Sequence, residues 1–355
     1  MSDRELPMPA DECRVNPECL DAFGSVHYIP SKFGNILFIA IFGAVLIAQV
    51  GQGIKWKTWG YMGAMIGGTA LEIVGYYGRI QMNIDPFEGN NFIIYLVGLT
   101  IGPAFYSAAI YLSISRIITI FGTGLSYLKP RTVTLAFIGF DIISLILQSA
   151  GGAMASMAEE GDKEATDLGV NVMIGGLVAQ VAATSAFVVV CVMLAIAIRR
   201  HPEKLDYQYA QFRRTLKFKL FLWAIGISVF SILVRCIFRC AELFGGFDSS
   251  LANNEVLFML LDGTLMIITA LMLTAAHPGW TLGEYWHTAT FHLRSKKAPV
   301  STKLFPPSEN SSQLELNSTE YARLPTEQGN SEYARLSVQQ AQQAARYEPF
   351  RGQQA

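Results

Sequence analysis

The sequence predicts an all-α, polytopic membrane protein with seven transmembrane helices. Of its 355 residues, 51% are hydrophobic and only 15% are charged, whereas a soluble domain of this size carries roughly a quarter charged residues. The apolar residues also come in blocks of about 20, which is the length of a helix that crosses a bilayer. Lysine and arginine are concentrated in every second loop between these blocks, as expected for alternating sides of a membrane.

Seven apolar stretches form a predicted transmembrane domain of residues 32–279. Their approximate bounds are 33–54, 59–80, 92–118, 132–157, 170–198, 220–243 and 256–276. The first stretch ends at Lys55, Trp56 and Lys57, a basic and aromatic combination that is typical of a membrane interface. The second stretch ends at an acidic turn.

The remaining stretches have similar signals at their ends. The third contains Gly102 and Pro103, which predict a kink, since proline removes a backbone donor from a helix. The fourth and fifth are separated by an acidic loop at 159–167, and the fifth and sixth by the strongly basic loop 199–219. The sixth and seventh are joined through 245–254.

Basic residues in the loops predict the orientation. Loops 1, 3 and 5 hold Lys55, Lys57, Lys129, Arg131, Arg199, Arg200, Lys204, Arg213 and Arg214, whereas loops 2, 4 and 6 hold Lys163. Short cytoplasmic loops carry the excess of lysine and arginine. The N-terminal segment 1–31 is therefore expected outside the cell and the C-terminus in the cytoplasm.

Two of the five cysteines, Cys13 and Cys19, lie in the N-terminal segment. A disulfide between them would persist on the extracellular side. Two free thiols are the alternative, and the sequence leaves both open.

Polar residues within or beside the apolar stretches form a candidate path for a substrate or an ion. Charges inside membrane spans are costly and usually face the interior of a bundle or a wet cavity. Several are seven residues apart, which places them on one helix face and predicts an outward-opening polar cavity. The candidates are Glu72, Arg79, Asp141, Gln148, Gln180, Arg235, Arg239, Glu242, Glu255 and Asp262.

The alternative for Arg235, Arg239 and Glu242 is an ion-pair lock between helices, since charges near the interface are less costly. The two glutamines are also explained by hydrogen bonds between helices.

Three carboxylates, Glu72, Asp141 and Asp262, lie deeper and favour a functional role because they are more costly to keep there. A buried carboxylate with no neighbouring cation is expected to be protonated, which would suit a proton relay.

Several short motifs run through residues 25–280. They comprise Tyr28, Ile29, Pro30, Ser31 and Asn35; Glu72, Gly75, Tyr76, Tyr77, Gly78 and Arg79; Asp141, Gln148, Gly151 and Gly152; Gly175, Gly176 and Gln180; Arg235, Phe238, Arg239 and Glu242; and Glu255, Asp262, His277, Pro278 and Gly279.

Together these motifs resemble the fungal RTA-like proteins, also called the lipid-translocating exporter family. The resemblance implies a seven-helix membrane protein connected with release of sphingoid long-chain bases, resistance to toxic amphiphiles such as aminosterols, and movement of porphyrin or haem. It supports the ten polar positions but implies no catalytic residue. Phe258 departs from the family, in which many relatives are expected to have tyrosine.

The chain becomes polar after the seventh stretch. Residues 280–297 predict an interfacial amphipathic segment, and 298–355 have a composition typical of disorder. This tail contains two Tyr-Ala-Arg-Leu repeats of the form that clathrin adaptors bind, with phosphorylation, another partner or simple duplication as alternatives. Their anchor residues are Tyr321, Leu324, Tyr333 and Leu336. Adaptor binding would fit a plasma-membrane protein that cycles through endosomes.

The combined observations predict a transporter or translocase of lipids or amphiphiles that contributes to efflux and toxin resistance. Candidate substrates are sphingoid bases, sterol-like toxins and porphyrins. Without a nucleotide-binding motif, movement would be gradient-driven or facilitative. The alternative is a seven-helix receptor or a lipid or stress sensor, although the third stretch lacks an acidic residue before Arg116.

Other function classes fit less well. An intramembrane metal hydrolase needs clustered histidine and carboxylate ligands, yet of the five histidines only His277 approaches an apolar stretch. We therefore expect no enzymatic activity, metal or cofactor. A net charge of −1 gives no reason to expect nucleic acid as a partner.

Overall fold

Long helices make up most of the structure. This computed structural model describes residues 9, 12–13, 16, 18–19, 28–122, 130–157, 163–245, 251 and 253–288. The described residues contain no β-strand. Their long helices are α1 (Lys32–Trp56), α2 (Trp59–Ile84), α3 (Gly89–Phe121), α4 (Pro130–Met157), α5 (Lys163–Arg200) and α6 (Leu216–Phe244).

The last long helix, α7, is continuous but not regular. It consists of Glu255–Phe258, a π-helical turn at Met259–Thr264, and Leu265–Ala275. A π-turn places one extra residue in a helical turn and occurs often at functional sites. Asp262 and Gly263 both lie within it.

Six of these helices, α1 and α3 to α7, are long and apolar enough to cross a membrane. The outer surface agrees with a lipid environment, because large apolar side chains such as Phe140, Trp223 and Phe230 are more than half exposed. Extended apolar surface is unfavourable in water. Helix α2 is not among the six, since its 26 residues include six glycines as well as Glu72 and Arg79.

The helices extend beyond most of the apolar stretches. Helix α5 begins at Lys163, seven residues before the predicted bound of 170, so that part of the acidic loop is helical. Glu164 in its first turn interacts favourably with the helix dipole. Hydropathy marks the apolar part of a helix, whereas the helix itself continues until its backbone is capped.

Polar side chains cap three of the helices. The hydroxyl of Ser31 accepts a hydrogen bond from the Gly34 amide at the start of α1. The side chains of Thr215 and Asn254 accept the equivalent bonds at the starts of α6 and α7. Serine, threonine and asparagine are favoured here because they satisfy amides that have no helical partner.

Glycines bring α2 and α3 into backbone contact. A Cβ atom on Gly98 would lie 2.7 Å from the Cα and N atoms of Gly75, and one on Gly78 would lie 2.7 Å from the Tyr95 amide nitrogen. Helices α4 and α5 approach each other in the same way at Gly151 and Gly169. Small residues at such crossings allow close packing of helices in membranes.

Short helical turns follow α7 at Pro278–Thr281 and Tyr285–Thr288. Trp286 is buried against the bundle, with the guanidinium carbon of Arg116 3.7 Å from its ring centroid. The described part of the predicted interfacial segment therefore packs against protein. Residues 289–297 and the tail, including both Tyr-Ala-Arg-Leu repeats, lie outside the described residues.

Candidate functional site

Helices α3, α6 and α7 meet at a buried ion pair. The Nη2 atom of Arg235 on α6 lies 3.0 Å from Oδ1 of Asp262 on α7, and both side chains are at most 4% exposed. The same nitrogen donates a hydrogen bond to the carbonyl oxygen of Leu99 on α3. The pair therefore lies in the interior of the bundle rather than at its surface.

One turn further along α6, Arg239 forms a second pair. Its Nη1 atom lies 2.7 Å from Oε2 of Glu242 on the same helix. Its Nε atom lies 3.9 Å from the Asp262 carboxylate. Asp262 is consequently within ion-pair distance of two arginines.

Arg79 on α2 forms the third pair and is fully buried. Its Nη2 atom lies 4.0 Å from Oε1 of Glu255, whose carboxylate also accepts a hydrogen bond from the backbone amide of Ser31. Its Nε donates to Asn35 and its Nη2 donates to the Tyr28 hydroxyl, at 3.3 and 3.1 Å. This pair links α1, α2 and the start of α7.

Aromatic rings complete the surroundings of Arg79. Its guanidinium carbon lies 4.0 Å from the ring centroid of Phe258 and 5.1 Å from that of Tyr95. A cation over the face of a ring is attracted by the ring's quadrupole. Phe258, the residue that departs from the expected tyrosine, therefore interacts with Arg79 through its ring face.

Glu72 is the remaining carboxylate of the cluster. It lies two turns before Arg79 on α2, is fully buried, and neither of its oxygens has a hydrogen-bonding partner among the described residues. Helix α3 leaves room for it, since a Cβ atom on Gly102 would come within 2.9 Å of Oε1. The hydroxyl of Tyr76, one turn after Glu72, also lacks a partner in the described part of the chain.

The positive and negative charges at this site are unequal in number. Arg235, Arg239 and Arg79 pair with Asp262, Glu242 and Glu255, respectively. Three arginines thus face four carboxylates, and Glu72 is the one outside a salt bridge within the described residues. We call these seven residues the polar cluster.

Asp141 occupies a separate site between α3 and α4. Its Oδ2 atom accepts a hydrogen bond of 3.0 Å from the Tyr111 hydroxyl. The Tyr111 ring packs against Phe137 and Phe187. Among the described residues, no ion pair or hydrogen bond connects Asp141 to the polar cluster.

The two glutamines bind each other. Nε2 of Gln148 on α4 donates to Oε1 of Gln180 on α5 at 2.9 Å. A Cβ atom on the neighbouring Gly176 would lie 2.8 Å from the Ser144 carbonyl oxygen, so the two helices are in close contact here. This geometry joins two helices and places neither glutamine in the polar cluster.

In the N-terminal segment, Cys13 and Cys19 form a disulfide with a Cα–Cα distance of 5.2 Å. The described residues contain no group of three or more potential metal ligands.

Within the described residues, five partners of these arginines were not among the ten candidates from the sequence. They are Tyr28, Asn35, Tyr95, Phe258 and the backbone carbonyl of Leu99. Tyr28 and Asn35 did belong to the motifs, but a tyrosine or an asparagine near a membrane interface has no distinctive signal by itself. A backbone carbonyl has none at all.

The other end of α1 borders a cleft of about 490 Å³. Lys55, Lys57, Lys217 and Trp280 are among its lining residues. Nearby, His277 is buried against Tyr61 and Trp56, and its Nδ1 accepts a hydrogen bond from the Gly279 amide. His277 thus caps the turn that follows α7.

The fold and the polar cluster define a multi-pass α-helical membrane protein with charges in its interior. The family model described as "RTA1 like protein" matches residues 65–285, and the chain belongs to this family. The resemblance seen in the sequence motifs is therefore confirmed.

Three relatives from Saccharomyces cerevisiae show the extent of the similarity. The sphingoid long-chain base transporter RSB1 is 30% identical over 83% of this chain and 80% of its own length. Protein RTA1 is 27% identical over 73% of this chain and 86% of its own. Protein RTM1 is 26% identical over 58% of this chain and 63% of its own length. No solved structure matches the chain.

Proposed function

We propose that this protein transports lipids or amphiphiles across the membrane and that the polar cluster receives their headgroups. The observation that carries the proposal is the cluster itself, in which six charged side chains are buried inside a membrane protein and Glu255 lies partly exposed beside them. Charges kept inside a membrane usually mark a substrate or ion path. The similarity to a sphingoid long-chain base transporter supports an amphiphilic substrate.

Sphingoid bases suit this site chemically, because they combine a cationic ammonium headgroup with a long apolar chain. The cluster has one more carboxylate than arginine, which favours a cation over an anion. Aromatic side chains nearby, such as Phe38, Phe42 and Tyr76, offer apolar surface for the chain. Sterol-like toxins and porphyrins are further candidates, and efflux of such compounds would confer resistance to them.

We place the protein in the membrane with seven spans, the N-terminus outside and the C-terminus in the cytoplasm. The start of α7 lies beside the start of α1, since Glu255 bonds to Ser31. Gly279, beyond the other end of α7, lies beside Trp56 at the end of α1. This parallel arrangement of the first and last helices supports a crossing by α2 as well, and its 26 residues at 1.5 Å each span about 39 Å.

The site of action is proposed to be the plasma membrane, with cycling through endosomes directed by the tail. Transport would be non-enzymatic and driven by a gradient. A receptor or sensor role is the competing function, and it differs in requiring ligand binding without net movement of the ligand.

Flux measurements with purified protein in liposomes test the proposal. Fluorescent sphingoid base, phospholipid and porphyrin are supplied separately, with and without a proton gradient. We expect saturable movement of the sphingoid base. Asp262→Asn should slow it by about tenfold or more, because Arg235 and Arg239 would lose a buried counter-charge.

Glu164→Gln is the matched control, since it removes a carboxylate from the exposed first turn of α5. It should leave flux unchanged. Absence of flux for every probe, with saturable binding retained, would overturn the transporter and favour the receptor or sensor. Normal flux in Asp262→Asn would show that the Arg235–Asp262 ion pair has only a structural role.

A further inference from the structure

Two buried polar side chains on one face of α2 have no hydrogen-bonding partner among the described residues. Glu72 and Tyr76 are one helical turn apart, so they point in the same direction. Both are fully buried, and within the described part of the chain both carboxylate oxygens of Glu72 and the hydroxyl of Tyr76 are unsatisfied. An ionised carboxylate in such a position is very costly, so the site must hold a positive charge or be neutral.

Four helices surround this pair. Helix α3 contributes Gly102, which contacts the Glu72 carboxylate, and Tyr106, whose hydroxyl is paired with Thr69. Helix α1 contributes only the rings of Phe38 and Phe42. None of these groups supplies a positive charge.

Charged groups on three helices interact electrostatically with Glu72 and Tyr76. Arg235 of α6 and Asp262 of α7 act on both Glu72 and Tyr76, and Arg79 of α2 acts on Tyr76. Both arginines already bind other carboxylates, and among the described residues Oδ2 of Asp262 has no hydrogen-bonding partner. The local balance of charge therefore remains negative unless Glu72 carries a proton or a cation is bound.

We propose that Glu72 binds one monovalent cation at a time, either a proton or the ammonium group of an amphiphile. This inference rests on the proposed function and specifies its substrate class and coupling. When the ammonium group binds, the carboxyl O–H bond breaks and the proton is released to water. One positive charge replaces another, so a proton gradient can drive the exchange without net charge movement.

The site closes against the π-turn of α7. A Cβ atom on Gly263 would lie 2.8 Å from the Tyr76 hydroxyl oxygen and 2.2 Å from the Phe38 ring. The side chains beside Glu72 are therefore closely packed in this arrangement. Binding of the ammonium group requires the helices to separate at this point.

Proton release on binding is the direct test. Purified full-length protein in detergent is titrated with a fluorescent long-chain sphingoid base between about pH 5.5 and 7.5, in weak buffer with a pH-sensitive dye. Wild type should release about one proton per base bound. Its apparent affinity should rise with pH, by up to about tenfold per unit, because protons compete less at higher pH.

Glu72→Gln should bind the base at least about tenfold more weakly, without proton release and without pH dependence. The variant should unfold at nearly the wild-type temperature, since glutamine resembles a neutral carboxyl group. Glu164→Gln should behave as wild type. The N-acetylated base carries no positive charge and should release no proton from any of these proteins.

Wild-type affinity and proton release in Glu72→Gln would overturn the inference. A large loss of thermal stability would assign Glu72 a structural role instead. If Glu72→Gln does not fold, Tyr76→Phe is the second test. We expect it to bind the base more weakly and still to release a proton. Unchanged binding would contradict a cation site at Glu72 and Tyr76. Flux in wild-type liposomes tests the transporter independently, so either proposal can fail alone.

Discussion

Arg79 shows how a buried cation is held without a close carboxylate. Its distance to Glu255 is 4.0 Å, which is the longest of the three pairs. Hydrogen bonds that Arg79 donates to Tyr28 and Asn35, together with the ring face of Phe258, provide the remaining stabilisation. A phenylalanine is sufficient at position 258 because the interaction uses the ring and needs no hydroxyl.

Removing one partner of the Arg235–Asp262 pair should be strongly destabilising. Arg235→Gln leaves the Asp262 carboxylate without its nearest counter-charge, and loss of one member of a buried pair typically costs about 3–5 kcal/mol. We expect the free energy of unfolding in detergent to fall by an amount of that order. Denaturant titration followed by circular dichroism measures it.

The exposed Arg199→Gln at the end of α5 is the control and should have little effect. The double variant Arg235→Gln and Asp262→Asn should recover part of the loss, because the uncompensated charge is gone. Strictly additive effects of the two single variants would contradict the assigned pair.

At the scale of helices, the α2–α3 contact depends on the absence of side chains. Each nearest neighbour of a Cβ atom on Gly98 is a backbone atom of α2, at 2.7–2.8 Å. A side chain there cannot be accommodated by a rotamer change, so the helices must separate. Because Glu72 lies on α2 opposite Gly102, this contact also sets how closely α3 covers the carboxylate.

Gly98→Ala should therefore destabilise the protein by about 1–3 kcal/mol, the usual cost of overpacking. The measurement is the free energy of unfolding in detergent. Gly63→Ala on α2 is the matched control, since a Cβ atom there meets nothing within 4 Å. It should be neutral or slightly stabilising, because alanine favours helix over glycine. Equal effects at both positions would contradict the close contact.

At the scale of the whole molecule, the number of membrane crossings decides on which sides the termini lie. Six crossings would put both termini on the same side, whereas seven put them on opposite sides. The two topologies differ in whether α2 crosses the membrane, because the other six long helices are apolar enough to do so.

Epitope tags at the two ends of the full chain can distinguish these topologies. We expect an antibody that cannot enter cells to label the N-terminal tag on intact cells. The C-terminal tag should be labelled only after permeabilisation. A cytosolic protein with the same tag is the control, and labelling of both ends on intact cells would refute seven crossings.

The tail repeats predict a second property of the whole molecule. The double variant Tyr321→Ala and Tyr333→Ala should accumulate at the cell surface, with internalisation slowed several-fold, because the adaptor pockets accept tyrosine. Surface biotinylation followed over time measures it. Gln328→Ala, between the repeats, should internalise normally, and unchanged internalisation in the double variant would refute the sorting role.

The positions of the long helices and the charged residues within them could be predicted from the sequence. Hydropathy is a local property, so a run of apolar residues marks a helix without knowledge of its neighbours. The seven-residue spacing of Glu72 and Arg79 also correctly indicated a shared buried face. Caps such as Ser31 and Asn254 then set where the helices begin.

Which charged residues pair with each other depends on the packing of the helices. Arg235 pairs with Asp262 while Asp141, an equally buried carboxylate, binds Tyr111 in a different helix interface. The pairing depends on how each helix is rotated about its axis and how closely it packs against its neighbours. Contacts at glycines, between residues far apart in the sequence, determine both. The order of amino acids specifies which charges lie in the apolar helices, whereas the packing of those helices leaves Glu72 with no partner among the described residues.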